Sequence, residues 1–299
     1  MPADYNKPAL SIDEQIALLV SRGLIIPNKN KAHHFLQFIS YYRLSGYTIV
    51  FEERVNGKRA HQFKNGATFE DIINLYDFDR HLRMLVMDAM ERIEVAVRAQ
   101  ICLTMALTYK DSHWYLRRDL FKPEFEYDSF IKKCMQEQEK SKERFVLHYK
   151  ENYHSPLSVP CWMMIELLPM GTWSRVYRDL VNRADKKQIS DTFKLSPVEL
   201  QSWLHCLTYI RNLCAHHARL WNRRFTVSPM SPKLYPQYFS PNNTFAAQAA
   251  MMHIIMKVIS PDSQWTARLS ELLNNHPFVN PVAMGFPKGW TQDNFWGLS

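Results

Sequence analysis

TFEDIINLYDFDRHLRMLVMDAMERIEVAVRAQI, running from Thr68 to Ile101, is the stretch on which the fold turns. Its apolar residues Ile72, Leu75, Leu82, Leu85, Val86, Ala89, Ile93, Val97 and Ile101 recur at steps of three and four, the pattern of a helix with one packed side. Thr68, with Asp71 three residues on, supplies a helix start.

Helical punctuation continues in both directions. Ser11-Ile-Asp-Glu14 reads as a capping box whose helix stops at Gly23, and a short helix is expected from Lys31 to Ser40. An aromatic stretch, Tyr41 to Tyr47, comes next, and Asn56-Gly57 allows a small hairpin around residues 48–64. Beyond a break at 112–127, residues 128–150 read as one charged helix. Trp162–Leu168 and Thr172–Val181 read as helices parted by Pro169 and Gly171. Ser196-Pro-Val-Glu199 opens a helix expected to reach about Arg224. Prolines 229, 232, 236 and 241 then mark an extended stretch before helices near 243–258 and 262–275. The tail after Pro277 has no clear periodicity.

The expected class is therefore all-α: a helical core over 67–226, an N-terminal helical extension with a hairpin over 1–66, and a Pro-rich connection with C-terminal helices over 227–299, in one body. Composition agrees. Only 8 of 299 residues are glycine, too few for sheet-rich or doubly wound folds that need it at turns and phosphate loops. A hydrophobic content of 46% excludes disorder. No run reaches the roughly 18 apolar residues of a membrane helix, and the start has no secretory pattern, so a cytoplasmic protein without membrane contact is expected. The five cysteines form no C-x-x-C pair, which argues against a zinc site or a disulfide framework.

The formal charge of +8 favours a polyanionic partner, and its distribution sharpens the point. From Leu200 through Pro261 there is no Asp or Glu, while Arg211, Arg219, Arg223, Arg224, Lys233 and Lys257 all fall inside. Continued as a helix, this segment would line Asn212, His216, Arg219 and Arg223 along one stripe, with Arg211 at its edge. Leu207, Ile210, Leu213, Cys214 and Leu220 would pack on the other side, His217 would support from about 100° round the helix, and Trp221 would pack in the core or stack a base. Such a set suits RNA cleavage. Histidine moves protons near neutrality, and arginine forks onto phosphate oxygens as charge builds on the phosphorane. One helix supplies one such histidine, so a symmetric pair would complete a site. The competing readings are a basic face that binds phosphate without chemistry and a histidine that is merely packed.

Arg211-Asn-Leu-Cys-Ala-His216 resembles the Arg…His motif of HEPN ribonucleases, in the form with a polar residue after the arginine. The longer string to Arg223, with Tyr41-Tyr-Arg-Leu-Ser-Gly-Tyr47, Leu75–Arg83, Glu91-Arg-Ile-Glu94 with Arg98, and Pro160-Cys-Trp162 leading to Gly171, resembles the Abi-like family of abortive-infection proteins over about residues 8–226. The resemblance implies a HEPN-type helical bundle, phage defence, and metal-independent endoribonuclease activity without a cofactor. It further implies a composite homodimer site and RNA as partner, as substrate and as a small noncoding antitoxin RNA. Arg211, Asn212 and His216 carry over as catalytic residues. Glu94 is the match for an acidic residue on an earlier helix, with Glu91 as the alternative. Arg98, His217, Arg219, Arg223 and Arg224 are the expected RNA contacts. A non-catalytic HEPN module that binds RNA or protein is the alternative. Other hydrolase and nucleotide motifs are missing: there is no glycine-rich phosphate loop, His-Glu-x-x-His or G-x-S-x-G. Asp77 and Asp79, beside Arg80 and Arg83, read as ion-pairing residues before half a metal site.

Overall fold

The computed structural model describes Asp4, Asn6 and residues 8–298. Ser11 and Glu14 exchange the two capping bonds, at 3.3 and 2.7 Å, that start α1 (Ile12–Ser21). Gly23 stops it in a left-handed conformation that lets the Leu24 amide return to the Leu19 carbonyl. Helices α2 (Lys29–Ile39) and α3 (Tyr41–Thr48) come next, so the aromatic stretch read only as trailing the second helix is itself helical, capped by the Ser40 hydroxyl on the Arg43 amide.

Strands β1 (Glu52–Val55) and β2 (Lys58–Phe63) pair antiparallel. Asn56 and Gly57 both take positive φ, the combination that turns a tight hairpin without splaying its strands. This hairpin is the only sheet among the described residues, and the fold is otherwise helical.

Helix α4 (Phe69–Tyr109) holds 41 residues, a length of about 60 Å. Thr68 and Asp71 cap its start reciprocally, and no glycine or proline interrupts it. The chain divides into two compact units at a boundary inside α4: residues up to Leu82 with Asn275–Val279, and Arg83–Asn274 with the residues from Asn280. In the first unit the returning segment packs Phe278 on Phe51 and His276 on Phe78. There Asp77 ion-pairs with Arg80, while Asp79 is fully buried and accepts the Tyr47 hydroxyl at 2.6 Å.

The second unit continues with α5 (Tyr127–Lys140), α6 (Arg144–Asn152), α7 (Cys161–Leu167), α8 (Met170–Asp179), α9 (Arg183–Asp191), α10 (Pro197–Ala215), α11 (Phe245–Ile259) and α12 (Trp265–Asn274). Residues 128–150 are thus two helices rather than one, parted at Ser141, whose extended backbone ends α5. The highly polar α9 had no sequence reading; Asn182 caps it and Ile189 anchors it. Apolar around nearly its whole circumference, α11 is enclosed by the unit. The aperiodic tail closes over it with buried Phe286, Trp290, Phe295 and Trp296. All five cysteines are buried and free, and the Cys102 and Cys161 sulfurs meet at 3.1 Å. Among the described residues no helix is long and apolar enough to cross a membrane.

Candidate active site

Ser196 and Glu199 start α10 with a full capping box, Pro197 fits its first turn, and Trp203, Leu204, Leu207, Ile210 and Cys214 anchor it in the core. Its end departs from expectation. The helix stops at Ala215, and His216 is its C-cap rather than a mid-helix residue. His217 adopts φ +54°. The Ala218 amide then returns to the Leu213 carbonyl at 2.8 Å and the His217 amide to the Cys214 carbonyl at 3.0 Å, a Schellman closure made without glycine. The stripe expected for Asn212, His216, Arg219 and Arg223 therefore exists only as far as His216.

Beyond His217 the chain runs as a loop. Leu220 and Trp221 are buried in it, so Trp221 is core and not a base platform. Arg219 and Arg223 are half-buried, and Arg223 donates to the Arg219 carbonyl at 3.3 Å. Burial would raise the Tyr209 phenol, but hydrogen bonds from Thr226 and Arg223 outweigh it and hold the phenol below its ordinary range. Arg223 thus faces Tyr209. Arg224 and His217 are exposed.

Asn212 and His216 are both exposed, linked by the His216 amide on the Asn212 carbonyl at 3.0 Å. Arg211 is half-buried, with its guanidinium 3.5 Å from the Asn212 side-chain oxygen. It stands between two clefts. One, about 560 Å³, is floored by α4 and lined by Glu91, Glu94, Val95 and Arg98 together with Arg211. Glu94 and Arg98 form an ion pair there whose side chains are only 14% and 15% exposed. At that burial, removing one partner strands the other's charge, unlike the exposed pair an i,i+4 spacing alone implies. Arg98 Nε is buried and has no acceptor among the described residues. Both acidic candidates face this cleft, and only Glu94 is held by Arg98.

The second cleft, about 320 Å³, is lined by Lys133, Thr172, Arg175, Thr208, Arg211 and Asn212. The sequence singled out neither Lys133 nor Arg175. The one legible trace was Gly171, read there as a helix break. A Cβ at Gly171 would lie 3.1 Å from the Thr208 methyl, so its absence lets the first turn of α8 close on α10. Among the described residues no three His, Cys, Asp or Glu side chains gather as a metal site would need.

No curated protein and no solved structure matches this chain. The Abi-like protein family matches residues 34–222, a span that holds Glu94, Arg98, Lys133, Arg175, Arg211 and His216 and ends before Arg223. With well over half of its length covered in that way, the chain belongs to the Abi-like family of abortive-infection proteins.

Proposed function

We propose that this protein is a metal-independent endoribonuclease of abortive-infection defence against phage, acting at a composite site built by two copies of the chain. The observation that carries the reading is the end of α10, where an exposed imidazole comes after an arginine and an asparagine, and where that arginine shares a cleft with Glu94 and Arg98. A structural histidine would be buried and hydrogen-bonded, and His216 is neither buried nor within the core.

In the proposed reaction the ribose 2′-hydroxyl attacks the adjacent phosphorus. The proton leaves that hydroxyl, charge builds on the non-bridging oxygens, and the 5′-oxygen departs with a proton. His216 carries one proton transfer, and the His216 of a second copy carries the other. Arg211 meets the developing phosphorane charge with a planar fork, and Asn212 beside it holds the phosphate in register. Glu94 holds Arg98 in the same cleft as a second cation. Exposed Met84, Val95, Leu103 and Leu107 along α4, the first two lining the cleft, support burial against a second copy.

RNA cleavage by the purified protein in excess chelator tests this. Wild type should leave 2′,3′-cyclic phosphate ends, and His216→Ala and Arg211→Ala should each lower the rate by about 10²–10⁴-fold. Equal activity in all three proteins would remove the assigned site. Tight RNA binding without any cleavage would favour the non-catalytic module.

A further inference from the structure

We infer that the cleft between α5, α8 and α10 is a second phosphate subsite, which grips the RNA strand next to the bond being cut. The inference rests on the RNA-cleavage reading above and adds residues to it.

Three cations converge on the cleft from three helices, Lys133 from α5, Arg175 from α8 and Arg211 from α10, and no carboxylate lines it. The neighbouring spaces differ on this point. The cleft on the α4 side carries Asp88, Glu91 and Glu94, and the one beyond Arg175 carries Glu124 and Glu126. Both of those spaces carry carboxylates, in the α4-side cleft partly offset by Arg98, and the pocket between them is the one lined by cations without acids.

Its cations also have no ion pair among the described residues. Arg178, one turn along α8, is tied to Asp179 at 2.6 Å, and Arg98 is tied to Glu94. Half-buried Lys133 instead donates to the Thr172 hydroxyl, at 2.8 Å, a neutral partner, and has no ion pair among the described residues. Arg175 is exposed and has no ion pair among the described residues. An ammonium held half out of water by a buried threonine, facing two guanidiniums, is a poor arrangement for stability and a good one for an anion.

Arg211 lies on the wall of both clefts, so one guanidinium can touch the cleaved phosphate and its neighbour. Among the described residues no aromatic side chain lines the acid-free cleft, so they offer nothing there for a base to stack on. Contacts there read backbone charge rather than sequence. Of the RNA contacts expected from the sequence, Arg219 and Arg223 are half-buried in the loop after α10, Arg98 is tied to Glu94, and His217 and Arg224 are exposed outside this cleft.

The test measures binding of a labelled single-stranded oligoribonucleotide across a salt series. It uses the His216→Ala protein, so that the RNA survives, with and without Lys133→Gln and Arg175→Gln. Glutamine at 133 can still donate to Thr172, which guards the fold, and a thermal melt checks it. Each change should weaken binding about tenfold. The double change should flatten the dependence of log affinity on log salt by about 1.4, roughly 0.7 per lost phosphate contact. It should do so equally for oligonucleotides of different sequence, and Lys133→Arg should restore binding. Unchanged affinity and salt slope in the double variant would overturn the subsite, even if wild-type protein cleaves RNA. Dependence on Lys133 and Arg175 in a protein whose wild type never cleaves would uphold the subsite and sink the nuclease. A wild type that neither binds nor cleaves would sink both.

Discussion

The end of α10 and the middle of α11 each carry a histidine, and the protein treats the two in opposite ways. His253 is 4% exposed, with both ring nitrogens engaged: Nε2 lies 2.6 Å from the Phe295 carbonyl and Nδ1 2.9 Å from the Thr266 hydroxyl. A carbonyl only accepts, so Nε2 carries the hydrogen and Nδ1 accepts from Thr266. Lys257 donates to the same carbonyl and lies over the Phe295 ring. His216 stands at a helix end in solvent, with Arg211 and Asn212 on the preceding turn. One imidazole is used up in holding a C-terminal tail against a buried helix. The other is exposed, and neither of its ring nitrogens is engaged among the described residues. A histidine's residue type says little about its role; what its nitrogens already touch says more.

Exchanging the substitutions gives the largest separation. His253→Ala should cost about 4 kcal/mol of stability, because a ring-sized void opens and the Thr266 hydroxyl loses its acceptor. His216→Ala should cost under about 0.5 kcal/mol, as exposed substitutions do. Denaturant melts of the two variants check this, alongside RNA cleavage per folded molecule. His253→Ala should keep that activity and His216→Ala should lose it. A large stability loss in His216→Ala would end the contrast.

A pH titration of stability sharpens it. Burial lowers the His253 pKa from 6.5 to about 4, and the nearby Lys257 charge adds to the effect. The unfolded chain therefore takes up a proton at this residue near pH 6.5, while the folded chain refuses it until about pH 4. Unfolding is favoured as pH falls through that window, by about 3 kcal/mol in all, and nothing is lost to this group above pH 7. In His253→Leu that part of the slope between pH 6.5 and 4 should vanish. A wild-type curve no steeper than the variant's would mean the ring is not held neutral.

The Arg-Asn-x-x-x-His string could be picked out because its members lie close along the chain at the end of one helix, although His216 lines neither cleft that Arg211 borders. The capping boxes at Ser11 and Ser196 and the Asn56-Gly57 turn were legible for the same reason: each is a local bond or a local φ. Lys133 and Arg175 were not, since they meet Arg211 only after α5, α8 and α10 have packed, and nothing along the chain links them. Glu94 came from family likeness, and its joint cleft with Arg211 is likewise a product of packing. The wrong end assigned to α10 has a narrower cause. A glycine announced the stop of α1 at position 23, whereas α4, α9 and α10 stop at Lys110, Lys194 and His217, all in the left-handed region. No rule of composition marks a helix end there.

These glycine-free stops supply the smallest effect, and it bears on the same comparison. A side chain in the left-handed region costs about 1 kcal/mol relative to glycine. Lys194 is exposed, and Leu195 closes the turn onto the Ser190 carbonyl at 3.1 Å, so Lys194→Gly should stabilise by about 0.5–1 kcal/mol. His217 occupies the same backbone position after α10, yet it has an interaction of its own and sits next to His216. His217→Gly should therefore gain less than Lys194→Gly, and the shortfall measures what the imidazole contributes to holding the loop. Paired melts of the two variants give the stabilities, and the oligoribonucleotide assay gives the RNA affinity. If His217→Gly gains as much as Lys194→Gly but binds RNA more weakly, the strain at His217 is retained for the ligand. If it gains as much and binds equally well, the second histidine of the pair has no part in the site, and the contrast between exposed and buried imidazoles narrows to His216 alone.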